Sequence, residues 1–413
     1  MRPVVVAGHA CLDLTPAWNA EPAIDSGRLI GVGPLAMSPG GCVGNTGPAL
    51  VALGVATHLA AHVGSDELGR ILVEMLARSG AGTAGITRLD GLTTSYSIVV
   101  DFPGRDRTFW HHVGANAAFD GSGVVERIEA ARAASAAAGS GGGVGVVGGE
   151  GRVVTDPAAA ITDSAAEPEV ILHLGYSTHL PALYATGGSA LTRLVDAARA
   201  HGALVSLDMA EIDGASDARS VDWEGLLART LPSVDIMKAS VDDLTAMMPG
   251  RRGLGADQWA ALLVELGAAA GLVTAGPGGL YLRTGPEPRI LTAAHSLRAA
   301  AADWSNREIW VPTLAARVLV TTAAGDMAAA GFLAGLSAGR GPAECALLAA
   351  ASAAARISGR PIREAYTIAA GFSPAPTTGP ISATPVSAGP TNPGNAWIAG
   401  YDRVFHGPHD MEV

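Results

Sequence analysis

Lysine is nearly absent from this sequence, since Lys238 is the only one among 413 residues. No Gly-Lys-Ser/Thr triplet occurs, which excludes the Walker phosphate-binding loop. The Val-Ala-Ile-Lys strand motif of protein kinases is missing as well. Any phosphoryl transfer by this chain therefore requires a different scaffold.

Charged residues are also scarce, at 16%, and acidic residues exceed basic ones by 38 to 27, which gives a net charge of −11. This balance argues against nucleic acid and anionic membranes as partners. No apolar run reaches the length of a transmembrane helix, and the N-terminal run is too short for a signal peptide. We therefore expect a cytoplasmic protein with no membrane partner.

Patterns typical of disulfide, zinc and serine-hydrolase chemistry are missing. The three cysteines, Cys11, Cys42 and Cys345, are far apart and form no Cys-x-x-Cys pair, so neither a disulfide framework nor a zinc knuckle is indicated. The eleven histidines contain no His-Glu-x-x-His motif, and we expect structural or surface roles for them. No Gly-x-Ser-x-Gly elbow occurs.

Apolar strand-like runs alternate with helical stretches along most of the chain, which predicts an α/β fold with a mostly parallel sheet. The segment 94–113 reads as a hairpin around a Pro-Gly turn. Two segments interrupt the pattern: a glycine-rich insertion at 139–168 and a Pro/Ser/Thr-rich extension at 371–413. "GVGVVG" at 143–148 follows an Ala-rich helix rather than a strand, so we interpret it as linker and not as a dinucleotide fingerprint.

Asp326 lies after a run of small residues in "VLVTTAAGDMAAAGFLAGL", at the predicted start of a helix. An acidic residue in the first helical turn is ordinarily explained by capping and the helix dipole. A carboxylate beside free backbone N–H groups is also what a phosphate-transfer site needs. The residues around Asp326 leave both interpretations open.

Six motifs, including that of Asp326, combine glycine or small polar residues with the end of a predicted strand or the start of a predicted helix, and each alone is also explained as a turn or a helix cap. They are "GHACLD" with Asp13, "PGGCVGNTGPALVALG" with Gly40, Gly41 and Asn45, "HVGSDELG", "KASVDDL" with Ser240 and Asp243, "VTAGPGG" with Thr274, Gly276 and Gly279, and "TTAAGDMAAAGFLAG".

Taken in this order, the six motifs resemble the ribokinase-like (PfkB-type) family of carbohydrate and nucleoside kinases, over residues 4 to about 357. The resemblance implies a Rossmann-like three-layer α/β/α domain over 1–370. It also implies a small β-sheet lid, here from about 14–38 and 92–115. Lids of this family often pair with a partner lid, and the apolar residues of 94–113 lead us to expect a homodimer.

The resemblance also implies ATP-dependent phosphorylation of a hydroxymethyl group. Asp326 would be the general base, with little need for a raised pKa. The backbone N–H groups of Ala323, Ala324, Gly325 and Asp326 would form an anion hole at the helix N-terminus.

The remaining implied roles concern the sugar, ATP and Mg²⁺. Substrate hydroxyl groups would be bound by Asp13, Gly40, Gly41, Asn45 and Asp326. The nucleotide would be bound by Ser240, Thr274, Gly276 and Gly279, and Mg²⁺ by Asp243, which is one methylene shorter than the Glu usual in the family and is expected to act through water.

The "VTTAAGD" motif departs from the family pattern at two positions. Ala323 occupies a glycine position, so we expect its backbone to avoid positive φ. Val320 replaces an Asp that helps to hold a monovalent cation in some family members, so we expect weak or no activation by K⁺.

Three functions remain open. The leading hypothesis is a sugar kinase. A nucleoside kinase would need an aromatic wall, which Trp18, Phe109 and Trp110 can supply. The third is a catalytically degenerate homologue that binds its ligand without turnover, which the changes at Val320, Ala323 and Ser240 favour and the retention of Asp13 and Asp326 opposes.

Overall fold

Short runs of aliphatic residues form the strands of a large central sheet in the computed structural model. It describes residues 1–22, 25–103, 107–140, 170–214, 216–286, 304–314, 317–371, 398–399 and 405–406. The central sheet contains β1 (Val4–Gly8), β4 (Thr57–Gly64), β5 (Gly82–Leu89), β8 (Val170–Gly175), β9 (Ala203–Asp208), β10 (Ile236–Ser240), β11 (Ala270–Thr274), β12 (Leu280–Thr284), β13 (Glu308–Val311), β14 (Ile398–Ala399) and β15 (Phe405–His406).

The order of the strands is β14-β15-β13-β12-β11-β10-β9-β8-β1-β4-β5. The strands from β11 through β10, β9, β8, β1 and β4 to β5 pair in parallel. The pairs from β11 to β12 and outward to β14 are antiparallel. The parallel part requires crossovers, and helices supply most of them.

Helices cover both faces of this sheet. They are α1 (Gly41–Ala52), α2 (Glu67–Arg78), α3 (Val124–Ser140), α4 (Pro181–Ala200, interrupted at 185–188), α5 (Trp223–Thr230), α6 (Val241–Met247), α7 (Ala256–Glu265), α8 (Ala324–Ser337), α9 (Pro342–Ile357) and α10 (Ala365–Gly371).

The residues of β1 show how the sheet separates two hydrophobic cores. Val4 and Val6 point into a core shared with α1, α8 and α9, whereas Val5 and Ala7 point into a core shared with α3, α4 and α7. Alternating side chains along a strand point to opposite faces, so a fully apolar strand indicates burial on both sides. The predicted three-layer α/β/α fold is confirmed.

A second, four-stranded sheet has the order β3-β2-β6-β7, with β2 (Cys11–Pro16), β3 (Leu35–Gly40), β6 (Tyr96–Val100) and β7 (Thr108–His112). Strands β6 and β7 are the predicted hairpin. The predicted lid segments overlap these four strands. Strand β2 starts shortly after β1, and β3 leads directly into α1, so the base of the small sheet lies beside the carboxyl ends of the central strands.

The register of the small sheet gives its two faces different chemistry. One face carries the cross-strand row Asp13–Ser97–His111. The other face carries an apolar cross-strand row formed by Met37, Leu14, Ile98 and Trp110. Within this row, Met37 is 43% exposed and Trp110 is 53% exposed.

Most of the predicted insertion at 139–168 and most of the predicted extension at 371–413 lie outside the described residues. Among the residues that are described, no helix is both long and apolar enough to cross a bilayer.

Candidate active site

Asp326 is the third residue of α8, and its side chain does not cap the helix. Helix α8 starts at Ala324 after the N-cap residue Ala323, which provides no side-chain cap. Only 2% of the Asp326 surface is exposed. The capping explanation for Asp326 therefore fails, and its carboxylate must be explained by what it contacts.

Side chains from two other elements bind the Asp326 carboxylate. The hydroxyl of Tyr176, just after β8, lies 2.8 Å from both carboxylate oxygens. The Asn45 Nδ2 group of α1 donates to Oδ2 at 2.9 Å, and the Thr46 hydroxyl lies 3.4 Å from Oδ1. These contacts place the carboxylate at the carboxyl ends of the central strands, where open α/β sheets bind their ligands.

Burial raises the pKa of Asp326 to about 6, while Lys238 and the hydrogen bonds from Tyr176 and Asn45 act in the opposite direction. This value differs from the small elevation that we expected. The cause is desolvation, which the sequence does not display because Asp326 is flanked by small residues whose packing decides its exposure. A group with this pKa accepts a proton readily and is still ionised at neutral pH.

Lys238, the single lysine, forms a buried ion pair with Asp208 close to the Asp326 carboxylate. Lys238 and Asp208 face each other on adjacent strands, and the Lys238 Nζ lies 2.9 and 3.0 Å from the two Asp208 oxygens. Burial alone would lower the pKa of Lys238, but the carboxylates of Asp208, Asp243 and Asp326 raise it. Burial raises the pKa of Asp208 to about 7 despite the opposing effect of Lys238.

Lys238 also reaches the predicted anion hole. A Cβ atom on Gly325 would lie 3.1 Å from the Lys238 Nζ, so the ammonium group is close to the first turn of α8. The N–H groups of Gly325 and Asp326 belong to that turn and have no intrahelical acceptor. A cation and free N–H groups therefore lie together beside a buried carboxylate, which is an arrangement suited to an anionic group.

The structure corrects two expectations about the small residues before Asp326. Ala323 has φ +62°, in the left-handed region that we expected it to avoid. This conformation is costly for a residue with a Cβ, by about 1 kcal/mol or more. The N–H group of Ala324 donates to the Thr321 carbonyl at 3.2 Å, so in this structure the free N–H groups are fewer than the four predicted.

The residues assigned to the substrate lie at the base of the small sheet. Asp13 is partly exposed, and burial raises the pKa of its carboxyl group. A Cβ atom on Gly40 would collide with the Asp13 carboxylate, and one on Gly41, at φ +73°, would collide with His9. The two glycines therefore allow a backbone approach that no other residue permits. Asn45 faces the same region through its bond to Asp326.

The residues assigned to ATP and Mg²⁺ lie at the ends of neighbouring strands, since Ser240 and Thr274 are paired in the β10–β11 register. Ser240 and Asp243 form a capping box at the start of α6, with bonds of 3.0 and 2.8 Å. Gly276 and Gly279, at φ +51° and +85°, shape the turn after β11. The capping interpretation of Ser240 and Asp243 is thus supported, and their ligand roles stay predictions.

Sequence reasoning missed Tyr176, Asp208, Lys238 and Thr46. One signal was available, because a single lysine inside an apolar strand motif, "DIMKAS", is a buried charge that needs a partner. Tyr176 carried no such signal. Tyr176 directly follows β8 and has a φ of +61°. The position of its hydroxyl near Asp326 depends on tertiary structure.

Comparison with known proteins agrees with this fold. Residues 183–364 match the family model described as pfkB family carbohydrate kinase. No curated protein sequence matches the chain. The family match and the fold together confirm the similarity to ribokinase-like PfkB kinases that the motifs predicted.

Three solved structures illustrate the similarity. Arabidopsis thaliana ribokinase, complexed with ribose and ATP, is 18% identical with a TM-score of 0.60, covering 90% of this chain and 99% of that one. A putative ribokinase II from E. coli, in complex with ATP and Mg²⁺, is 18% identical with a TM-score of 0.59 and covers 89% and 98%. Burkholderia thailandensis nucleoside kinase, in complex with inosine, is 14% identical with a TM-score of 0.55 and covers 87% and 93%.

The raised pKa of Asp326 predicts how stability changes with pH. Because the pKa is about 6 in the folded state and near 3.8 in the unfolded state, the folded protein favours the neutral form. That contribution is fully present below pH about 4 and is lost as the pH rises through about 6. Asp326→Asn removes this titration, so the variant should gain stability relative to wild type between pH 4 and 8, by about 3 kcal/mol.

Urea unfolding of both proteins across this pH range measures the difference. Asp242→Asn, which changes an exposed carboxylate in the first turn of α6, is the matched control and should track the wild type. Parallel stability curves for wild type and Asp326→Asn would show that Asp326 is not titrating in a buried site.

Proposed function

We propose that the protein is an ATP-dependent sugar kinase that phosphorylates a hydroxymethyl group. The observation that carries the proposal is the Asp326 carboxylate, which is buried, does not cap its helix, and lies beside both free N–H groups and the Lys238 ammonium. The family match and the fold support kinase chemistry. The geometry adds the residues that would perform it.

In this proposal Asp326 orients the acceptor hydroxyl and takes its proton. The hydroxyl oxygen forms a bond to the γ-phosphorus while the bond to the bridging oxygen breaks, which releases ADP. Negative charge on the transferred phosphoryl oxygens is stabilised by the N–H groups of Gly325 and Asp326 and by Lys238. Tyr176 and Asn45 hold the carboxylate in place, because each donates a hydrogen bond to it.

The charges around Lys238 suit a phosphate-binding site. The ammonium is compensated by Asp208 at 2.9 Å. A phosphate group near Gly325 would share this cation. Because Asp208 and Lys238 are both buried, their interaction is weakly screened by salt.

ATP would lie over the ends of β10 and β11, with its phosphates directed toward α8. Thr274, Gly276 and Gly279 border the turn on that side, and Ser240 is the neighbour of Thr274. Asp243 would hold Mg²⁺ through water, since one of its oxygens already accepts from the Ser240 N–H. Mg²⁺ commonly uses one or two carboxylates together with phosphate oxygens and water. When bound, the ion neutralises phosphate charge.

Substitution of Asp326 by Asn tests the proposed general base. Asn keeps the size of the side chain but cannot accept the proton, so turnover should fall by about 10²–10⁴-fold. Turnover measured with ATP and a panel of sugars and nucleosides, together with the melting temperature, separates loss of chemistry from loss of fold. Asp242→Asn should keep full activity, and near-normal turnover of Asp326→Asn would refute this mechanism.

Substitution of Asp13 by Ala tests the substrate side of the site. A carboxylate that accepts hydrogen bonds from sugar hydroxyls contributes about 1.5–3 kcal/mol, so KM for the sugar should rise by about 10–150-fold, with the KM for ATP nearly unchanged. Asp25→Ala, an exposed carboxylate between β2 and β3, is the control. An equal rise in both KM values would indicate a folding role for Asp13.

A nucleoside kinase is the second candidate, and one feature of β7 favours it. Phe109 is 44% exposed and, by strand alternation, shares its face with His111 and Asp13 rather than with Trp110. Phe109 can therefore provide an aromatic surface for a base. Activity with nucleosides but not sugars, and its loss in Phe109→Ala, would favour this candidate.

A ligand-binding homologue without turnover is the alternative from another class. The left-handed Ala323 and the shortened Mg²⁺ ligand Asp243 are the features that favour it. Calorimetric binding of ATP or sugar without ATP consumption by any acceptor in the panel would identify it.

We further propose that the small sheet mediates a homodimer through its apolar row, Met37–Leu14–Ile98–Trp110, on the face opposite Asp13. Exposed apolar side chains in such a row favour a contact surface. Sedimentation at micromolar concentration should show a dimer for wild type and a monomer for Trp110→Asp. Val318→Asp, at an exposed site outside the sheet, should remain dimeric, and a monomeric wild type would contradict the proposal.

A further inference from the structure

Three histidines far apart in sequence meet where the small sheet joins the central one. His9 follows β1, His111 lies on β7, and His179 lies in the short helical turn after β8. Each offers one ring nitrogen, and these three atoms lie within 4.8 Å of one another. The Nε2 atoms of His9 and His111 are 3.3 Å apart. We call this group the histidine cluster.

We propose that the histidine cluster binds a divalent transition-metal ion of the zinc class and so links the small sheet to the central sheet. Two nitrogens bound to one tetrahedral Zn²⁺ at about 2.0–2.1 Å are separated by about 3.3–3.4 Å. The Nε2 separation of His9 and His111 already has this value. The nitrogen of His179 lies within 4.8 Å of these two and would have to move closer to complete a three-histidine set with one open position.

In two of the rings, the nitrogen that would not bind the metal contacts another polar group, as is usual for histidines that bind metal. The Nδ1 of His111 lies 3.0 Å from the Ser97 hydroxyl, and the Nε2 of His179 lies 2.8 Å from the Glu211 carbonyl. Such outer contacts fix the orientation and tautomer of a ligating histidine. Among the described residues, the Nδ1 of His9 has no hydrogen-bond partner. It lies against Gly41, whose missing side chain makes room for the ring.

The electrostatics of the cluster favour neutral rings, which are the form that binds metal. Burial lowers the pKa of His9 and His179, and lowers that of His111 to about 4, with the neighbouring histidines adding to the effect for His9 and His111. Asp243, Asp213 and Glu211 add negative charge near His179. The cluster therefore offers three uncharged donors in a location that attracts a cation.

This site lies close to the proposed general base and differs from the proposed Mg²⁺ site in its donor atoms. The ring of Tyr176, whose hydroxyl binds Asp326, lies 5.7 Å from the ring of His9. Its nitrogen ligands suit zinc-class ions, whereas Mg²⁺ prefers oxygen. Because His111 belongs to the small sheet and the other two lie just after strands of the central sheet, a bound ion would hold the two sheets together.

Cobalt binding to the untagged full-length protein tests the proposal. After treatment with a chelator and its removal, titration with Co²⁺ should give visible absorption bands of a tetrahedral or five-coordinate ion at one Co²⁺ per chain, and Zn²⁺ should abolish them. His111→Gln and His179→Gln should each weaken Co²⁺ binding by at least 10-fold, and Ser97→Ala by about 10–100-fold. His201→Gln, at an exposed histidine paired with Glu129, and Asp326→Asn should bind Co²⁺ as wild type does.

The change in melting temperature on addition of Zn²⁺ tests metal binding without relying on kinase activity, and the melting temperature of each variant also shows whether that variant is folded. Zn²⁺ should raise the melting temperature of wild type and of Asp326→Asn, but not that of His111→Gln. Absence of Co²⁺ bands in the wild type, or equal affinity in His111→Gln, overturns the proposal. If the histidines instead bind substrate hydroxyls, His111→Gln will raise the KM for the acceptor while wild type binds no Co²⁺, which also overturns it.

Discussion

The site depends on one buried carboxylate, Asp326, which is held by hydrogen bonds and forms no ion pair with any residue that the structure describes. Its two oxygens are bound by the Tyr176 hydroxyl and the Asn45 amide, and Lys238 contributes only through its nearby charge. Lys238 is bound instead by Asp208. A salt bridge to Asp326 would have lowered its pKa, so the separation of the two charges keeps the carboxylate basic.

Backbone constraints make this arrangement possible. Tyr176 and Ala323 both have positive φ, at +61° and +62°, and they flank the carboxylate from two different elements. Neither residue is a glycine, so each conformation is held by the surrounding packing rather than by intrinsic preference. Strained residues of this kind concentrate at functional sites. Here Tyr176 directs its hydroxyl to the Asp326 carboxylate, and Ala323 is the N-cap residue of the helix that carries Asp326.

The fold was largely predictable from the sequence, and the site only in outline. Fully apolar strands such as Val4–Gly8 and small-residue helices such as Ala324–Ser337 indicate burial without any tertiary information. Motifs located Asp326, Asp13 and Asn45 because their signal is local. The histidine cluster had no local signal, since His9 and His111 are separated by 102 positions and meet only when the small sheet folds over the central one.

The burial of the only lysine has a practical consequence. Amine-reactive reagents ordinarily label proteins at many exposed side chains, but here the single lysine amine is 5% exposed and bound to Asp208. Its rate of modification is then governed by how often this part of the molecule opens. The rate of covalent labelling at Lys238 would therefore report how often the site opens, and no other lysine would contribute to the signal.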